Sequence, residues 1–171
     1  PLITIKDIDD AREMIALGIK RRIKMTEKEK WQVAYHEAGH AIVTYLLVAS
    51  KDVFKITITP RGHTGGATWV PEREEVFIED QKQLLNEIKI CLGSFAAEKI
   101  KLGFTTSGVS GDFANALYTA HNMVWRMGMG KSGIIGDFHA LDFYRRIGGS
   151  ALMSDEMKVR LDNDVQEILQ A

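Results

Sequence analysis

TEKEKWQVAYHEAGHAIVTYLLVAS, residues 26–50, is the stretch that decides the fold. Thr26 is followed three residues later by Glu29, a capping-box pattern that marks the start of a helix. The helical segment continues to about residue 50, and we expect it to form the long central helix. Its middle reads HEAGH from His36 to His40, and residues four apart lie on one face of a helix, about one turn from each other. The two imidazoles can therefore meet a single metal ion.

The HExxH pattern points to zinc chemistry. Neutral imidazole nitrogen suits Zn²⁺, and a catalytic zinc takes three protein ligands while leaving its fourth position for water. Zinc lowers the pKa of its bound water from about 15.7 to near 7, so that Glu37 can act as the general base and return the proton to a leaving amine. The predicted reaction is hydrolysis of peptide bonds. The competing interpretation is a chance HExxH on a buried helix, in which Gly39 serves packing alone.

The third zinc ligand must come from elsewhere in the chain, because the extended HExxHxxGxxH pattern fails at Val43 and Leu46. The candidates are Asp112, Glu98, His63, His121, His139 and Cys91. Asp112 stands near a predicted helix start, where an acidic residue also serves as a cap or complements the helix dipole. Glu98 stands on a predicted long helix, where its alternative role is on a solvated face.

The remaining periodicity predicts a mainly α fold. Helical patterns cover residues 5–22, 78–102, 112–127 and 154–171, and two runs rich in β-formers cover residues 53–59 and 65–70. Gly103 is a predicted helix stop. Residues 128–149 are irregular. We therefore expect a helical zinc-peptidase domain with a small β-hairpin or sheet beside the active-site helix.

Composition excludes several other classes of protein. Lys and Arg total 22 against 23 Asp and Glu, so no basic field favours nucleic acid as a partner. The longest apolar run, residues 41–49, is far shorter than the roughly 20 residues that span a bilayer, and we expect this chain to be soluble. Cys91 is the single cysteine, which excludes an internal disulfide and predicts a buried small side chain. The chain opens without Met and ends within a helical pattern, as a fragment of a longer protein would.

Seven segments along nearly the whole chain carry a resemblance to a known family. They are AYHEAGHAI (34–42), ITITPRG (56–62), GGATWVPE (65–72), GSFAAEKI (93–100), TTSGVSGDFANA (105–116), NMVWRMGM (122–129) and MSDE (153–156). HEAGH alone is moderately specific, whereas the ordered set is highly specific. Together they resemble the peptidase domain of the FtsH family of membrane-anchored AAA+ zinc proteases. The chain departs from the family at SGVS and Gly111, and residues 134–149 follow it only weakly.

The resemblance implies roles for several site residues. The family's third zinc ligand is an aspartate in a Thr/Ser/Gly-rich segment before a helix, and Asp112 occupies the matching position. Glu98 matches a family glutamate near the metal, which implies a group that orients a ligand or serves as the alternative ligand. The strand that resembles the family's substrate-binding edge strand contains Gly65, Gly66, Ala67, Thr68 and Trp69. A substrate could add to that strand through main-chain hydrogen bonds, and the alternative is a strand that only covers the core.

The resemblance also implies an organisation for the longer protein. Residues 1–24 would be the end of the preceding AAA+ motor region or a linker helix, and residues 25–171 the zinc peptidase domain, with a C-terminal part that is short or truncated. The full-length protein would be a membrane-anchored hexamer that degrades unfolded or membrane proteins, with the peptidase domain on the cytoplasmic or organelle-internal side. Membrane contact would come only through segments absent here, and nucleic acid would not be a partner.

ATP would be used by the motor outside this chain. Gly130, Lys131 and Ser132 do not form a phosphate loop, because Trp125 replaces the required earlier glycine and the segment follows a predicted helix.

Two alternatives to a working zinc peptidase remain at this stage. One is a catalytically inactive ring-forming scaffold of the same family, although the predicted base Glu37 and the predicted ligands His36, His40 and Asp112 are all present. The other is a different zinc hydrolase such as a deformylase. That enzyme would need Cys91 as a ligand, and Cys91 comes after the HExxH motif, in the wrong order.

Overall fold

The computed structural model describes residues 2–48, 51, 53–61, 65–71, 77–140 and 153–171. Its named elements are helices α1 (Ile5–Leu17), α2 (Glu27–Leu47), α3 (Gln81–Leu102), α4 (Val109–Trp125) and α5 (Asp155–Gln170), and strands β1 (Lys55–Thr57) and β2 (Ala67–Trp69). The strands pair antiparallel, with Ile56 opposite Thr68, and both strands contact α2. The predicted mainly α fold with a small sheet beside the central helix is confirmed.

Helix ends follow local side-chain chemistry. The predicted capping box at Thr26 is confirmed: Thr26 Oγ1 accepts from the Glu29 backbone N–H at 3.2 Å, and Glu29 Oε2 accepts from the Thr26 N–H at 2.7 Å. α3 ends at Leu102, immediately before Gly103, whose φ of 76° is the left-handed conformation that stops helices. The helix predicted over residues 5–22 was too long, because Gly18 at φ 82° ends α1 after Leu17.

The chain divides into two compact units. Unit 1 comprises Pro1–Glu75 and Gly93–Val109, and unit 2 comprises Val76–Leu92 and Ser110–Ala171. Unit 2 has an apolar core contributed by α3, α4 and α5, in which Ile88, Met123 and Leu161 are almost fully buried. Among the described residues, none of the helices is long and apolar enough to cross a membrane.

In unit 1, α1 packs on the sheet. The Arg12 guanidinium lies 4.8 Å from the ring centre of Trp69 and 5.0 Å from that of Phe54, a distance at which a cation is attracted to an aromatic face. Buried Glu13 accepts hydrogen bonds from Lys55 and Arg61. The hydrogen bond from Lys55 lowers the pKa of Glu13. α1 is thereby tied to β1 and β2.

Two glycines set the approach of α2 to the part of α3 that belongs to unit 1. A Cβ added at Gly39 would lie 2.3 Å from the Gly93 carbonyl oxygen, and one added at Gly93 would lie 2.8 Å from the Gly39 carbonyl oxygen. No larger residue fits at either position unless the backbones separate. Gly39 therefore serves helix–helix packing, and this packing lets later residues of α3 reach the HEAGH turn.

The segment Gly130 to Ser132 has a structural role in unit 2. Asp164 on α5 accepts hydrogen bonds from the backbone N–H and the hydroxyl of Ser132. A Cβ added at Gly130 would lie 2.3 Å from an Asp164 carboxylate oxygen. The Asp164 carboxylate therefore ties this segment to α5.

Candidate metal centre

His36 and His40 converge as the HExxH spacing predicts. Their Nε2 atoms are 3.3 Å apart, and the ring planes meet at 78°. Two nitrogens bound to one tetrahedral zinc at about 2.0–2.1 Å each stand roughly 3.3–3.4 Å apart. The observed pair of nitrogens therefore fits two corners of one zinc coordination sphere.

Glu98 lies behind His36 and is fully buried. Its Oε1 is 2.9 Å from His36 Nδ1, and the Thr106 backbone N–H and hydroxyl donate to its two oxygens. With the Nδ1 proton donated to this carboxylate, the lone pair of His36 resides on Nε2, the atom that faces His40. Glu98 thus acts on the ring of His36, and the alternative that placed it on a solvated face is wrong.

Thr106 is a residue of this site that the sequence reasoning missed. It belongs to the Thr/Ser/Gly-rich segment, and its hydroxyl also accepts the Gly108 N–H at 3.1 Å. A Cβ added at Gly108 would lie 3.5 Å from the ring of His36. Residues 106–108 therefore line the pair formed by His36 and Glu98. A threonine in a segment rich in threonine and serine was the available signal, but nothing in the sequence singled it out.

Glu37 points to the sheet side of α2. It is 7% exposed, and its Oε2 is 2.9 Å from the Thr68 hydroxyl on β2. A Cβ added at Gly66 would lie 2.8 Å from Glu37 Oε1. Gly66 and Thr68 belong to the strand predicted to bind substrate, and their proximity to the predicted general base was not expected from the sequence.

The other candidate ligands belong to other segments of the chain. Asp112 is in the first turn of α4, in unit 2. Burial, followed by the charge of Asp112, raises the pKa of the Cys91 thiol to about 11, which keeps it protonated and unsuited to binding metal. His63 lies outside the described residues.

His121 and His139 form a separate pair in unit 2. His121 stacks on Trp125 with ring centres 4.7 Å apart, and its ring lies 6.3 Å from that of His139. Among the residues described, neither histidine belongs to a group of three potential metal ligands. Burial, and then the charge of His139, lower the pKa of His121. Both are better explained by packing than by metal binding.

An HExxH turn with a carboxylate behind its first histidine is the arrangement expected of an HExxH-type metal site. Comparison with known proteins gives the family. The family model "Peptidase family M41" matches residues 23–171, and the chain therefore belongs to peptidase family M41. The predicted resemblance to the FtsH family is confirmed.

Similar proteins carry the name "ATP-dependent zinc metalloprotease FtsH". The relative from Borreliella burgdorferi is 34% identical over 173 residues, covering 98% of this chain and 27% of the relative. That from Cupriavidus metallidurans is 38% identical over 132 residues, covering 77% of this chain and 20% of the relative. The chain thus spans about a quarter of the length of the curated relatives it matches.

Proposed function

We propose that this chain is the zinc endopeptidase domain of an ATP-dependent, membrane-anchored protease, and that it hydrolyses peptide bonds of unfolded proteins. The observation that carries the proposal is the 3.3 Å separation of the two Nε2 atoms, with Glu98 fixing the ring of His36. Membership of family M41, whose relatives are named zinc metalloproteases, gives independent support.

The proposed metal ligands are His36, His40 and Asp112. They offer two imidazole nitrogens and one carboxylate oxygen, a suitable donor set for one zinc ion. The chain path supports Asp112: residues 106–108 lie against Glu98 and His36, and α4 begins directly afterwards at Val109. When bound, zinc supplies Lewis acidity, which polarises the scissile carbonyl and makes water more acidic.

Glu37 is the proposed general base. One of its carboxylate oxygens takes the proton of the attacking water as the carbon–oxygen bond forms. The same carboxyl group then delivers that proton to the amine nitrogen as the carbon–nitrogen bond breaks. Glu98 keeps the His36 Nδ1 proton in place throughout, so that Nε2 stays available.

The strand from Gly65 to Trp69 is the proposed substrate-binding edge. Within the described residues, β2 has one hydrogen-bonded neighbour, β1, so its second edge is available to an extended peptide. Main-chain pairing of this kind predicts broad specificity, which suits unfolded substrates. No feature of the described residues favours the inactive scaffold.

For the longer protein we propose the organisation that the family implies. Residues 1–24 end the preceding AAA+ motor region or form a linker helix, and residues 25–171 form the peptidase domain. The family match begins at residue 23, which supports this boundary. ATP hydrolysis and membrane anchoring belong to segments outside this chain, and the full-length protein assembles into a hexamer.

The test compares zinc content and casein degradation in three forms of the full-length protein: wild type, Glu37→Gln and Asp112→Ala. Glu37→Gln should retain zinc and lose about 10²-fold or more of the cleavage rate, because proton transfer is removed while the ligands stay. Asp112→Ala should lose zinc as well as cleavage. Full activity of Glu37→Gln would refute the mechanism, and unchanged zinc in Asp112→Ala would refute Asp112 as the third ligand.

A further inference from the structure

Glu37 contacts β2 and lies beside the residue that precedes it. The Thr68 hydroxyl oxygen lies 2.9 Å from Glu37 Oε2 and 2.9 Å from the Glu37 carbonyl oxygen. A Cβ added at Gly66, immediately before β2, would lie 2.8 Å from the other carboxylate oxygen, Oε1. Both oxygens of the proposed base therefore lie close to the segment formed by Gly66 and β2.

We propose that Thr68 is a positioning residue for Glu37, whose hydroxyl holds one carboxylate oxygen so that the carboxyl group faces the reacting water in one fixed orientation. The inference rests on the proposed function, in which Glu37 moves the proton. It assigns to the Thr68 side chain a role in addition to the proposed main-chain hydrogen bonds between this strand and a substrate.

The hydroxyl proton of Thr68 has two nearby acceptors, and the carboxylate is the better one. The Glu37 carbonyl lies in the middle of α2, where the regular helix supplies a backbone donor four residues later. The carboxylate is charged, and hydrogen bonds to charged acceptors are roughly twice as strong as neutral ones. The hydroxyl is therefore directed to Oε2.

Gly66 accounts for the space that the other carboxylate oxygen of Glu37 occupies. A Cβ there would lie 2.8 Å from Glu37 Oε1, 2.8 Å from Val33 Cγ1 and 2.7 Å from the Thr57 carbonyl oxygen. Oε1 thus occupies room that only glycine leaves. Proton transfer requires heavy atoms within about 2.6–3.2 Å, so a carboxyl group released from Thr68 loses the alignment that transfer needs.

The test uses a pair of matched substitutions in the full-length protein. Thr68→Val keeps the branched shape that suits a strand but removes the hydroxyl, and Thr68→Ser keeps the hydroxyl but removes the methyl group. Thr68→Val should lower kcat by about 10- to 100-fold at unchanged KM and zinc content. Thr68→Ser should restore kcat to within roughly threefold of wild type, because the hydrogen bond is retained.

A second measurement does not depend on activity. In crystal structures of the zinc-free variants, the Glu37 carboxyl group should leave its position in Thr68→Val and keep it in Thr68→Ser. An unmoved Glu37 in Thr68→Val would overturn the proposal. So would a rise in KM at constant kcat, which would assign Thr68 to substrate binding, or a failure of serine to restore kcat.

The Glu37→Gln background separates the two proposals. If the hydroxyl acts through the Glu37 carboxylate, Thr68→Val should cause no further loss of the residual rate in Glu37→Gln. A further loss of 10-fold or more would overturn the positioning role. If Glu37→Gln is inactive and Thr68→Val is fully active, only the positioning role of Thr68 is refuted. An active Glu37→Gln would refute the proposed function itself.

Discussion

The interiors of the two units differ in kind. In unit 1, Ala41, Pro60 and Val109 are the buried apolar side chains among the described residues, and the buried polar ones are Glu13, Glu37, Thr44, Arg61, Ser94 and Glu98. In unit 2 the proportion is reversed. Eleven buried apolar side chains, Ile88 and Leu161 among them, form one cluster, and the buried polar side chains are Asn122 and Asp164. The candidate metal-binding histidines lie in the polar interior.

The difference shows what each interior depends on. An apolar core is stabilised by area and close packing, which tolerate exchange of one hydrocarbon side chain for another of equal volume. A polar interior depends on pairing, because a buried donor or acceptor that loses its partner retains its full desolvation cost. Glu98 illustrates this: its contacts with His36 and Thr106 occupy both carboxylate oxygens. Substitutions in unit 2 should therefore mainly lower stability, whereas substitutions in the polar interior of unit 1 should also weaken zinc binding.

The largest loss of stability should come from the apolar core of unit 2. Leu161 is 0% exposed, and Leu161→Ala should lower the free energy of unfolding by about 2–5 kcal/mol, because it removes buried area and leaves a cavity. Urea denaturation followed by far-UV circular dichroism measures the change. The zinc affinity of the folded fraction should not change.

Leu161→Met is the matched control, since it conserves volume and should cost less than about 1.5 kcal/mol. Equal losses in Leu161→Ala and Leu161→Met would contradict packing as the source of stability. A weakened zinc affinity in folded Leu161→Ala would show that packing around Leu161 also affects zinc binding.

The apolar interior was the predictable part of the fold. Within the segments predicted as helices over residues 78–102 and 154–171, Leu84 and Ile88 on α3 and Leu161 and Val165 on α5 recur at four-residue spacing, and all four are buried. Periodicity works here because burial of hydrocarbon is non-directional and follows the helical repeat alone. Capping residues likewise fix helix starts through contacts only three residues away.

Within the site, sequence spacing predicted the convergence of His36 and His40, because one helix carries both. The partners of the polar groups could not be predicted in the same way. Glu98 is 62 residues from His36, and Thr68 is 31 residues from Glu37. Such pairs form only when separate elements pack, and a single hydroxyl or carboxylate in a sequence does not identify its partner. For the contact between Gly39 and Gly93 that brings α3 to α2, the sequence indicated only one partner, Gly39, as a glycine inside a helix.

The next largest effect tests the polar interior. Glu98→Ala removes the acceptor of His36 and of Thr106, and it should weaken zinc binding by about 10- to 100-fold, since the ring of His36 is no longer oriented. The zinc-free protein should also lose about 1–3 kcal/mol of stability through unsatisfied donors. Chelator competition measures the affinity, and urea denaturation measures the stability.

Glu98→Gln is the companion variant, because it keeps the volume and one carbonyl oxygen. Its zinc affinity should lie between that of wild type and that of Glu98→Ala. Complete loss of zinc from both variants would show that the charge of Glu98, and not only its acceptor oxygen, is needed for zinc binding. An affinity equal to wild type in Glu98→Ala would contradict the orienting role.

The smallest effect concerns a titratable group in unit 2. Burial, followed by the charge of His139, lowers the pKa of His121 below its ordinary value of 6.5, and the charge of Asp162 opposes this. The unfolded chain therefore binds a proton more readily than the folded one, so the contribution of His121 to stability is complete above pH 6.5 and declines as the pH falls through that value. Zinc-free His121→Gln should show a smaller drop in Tm than wild type between about pH 7.5 and about pH 5.5. An identical drop in both proteins would mean that His121 does not contribute to this pH dependence.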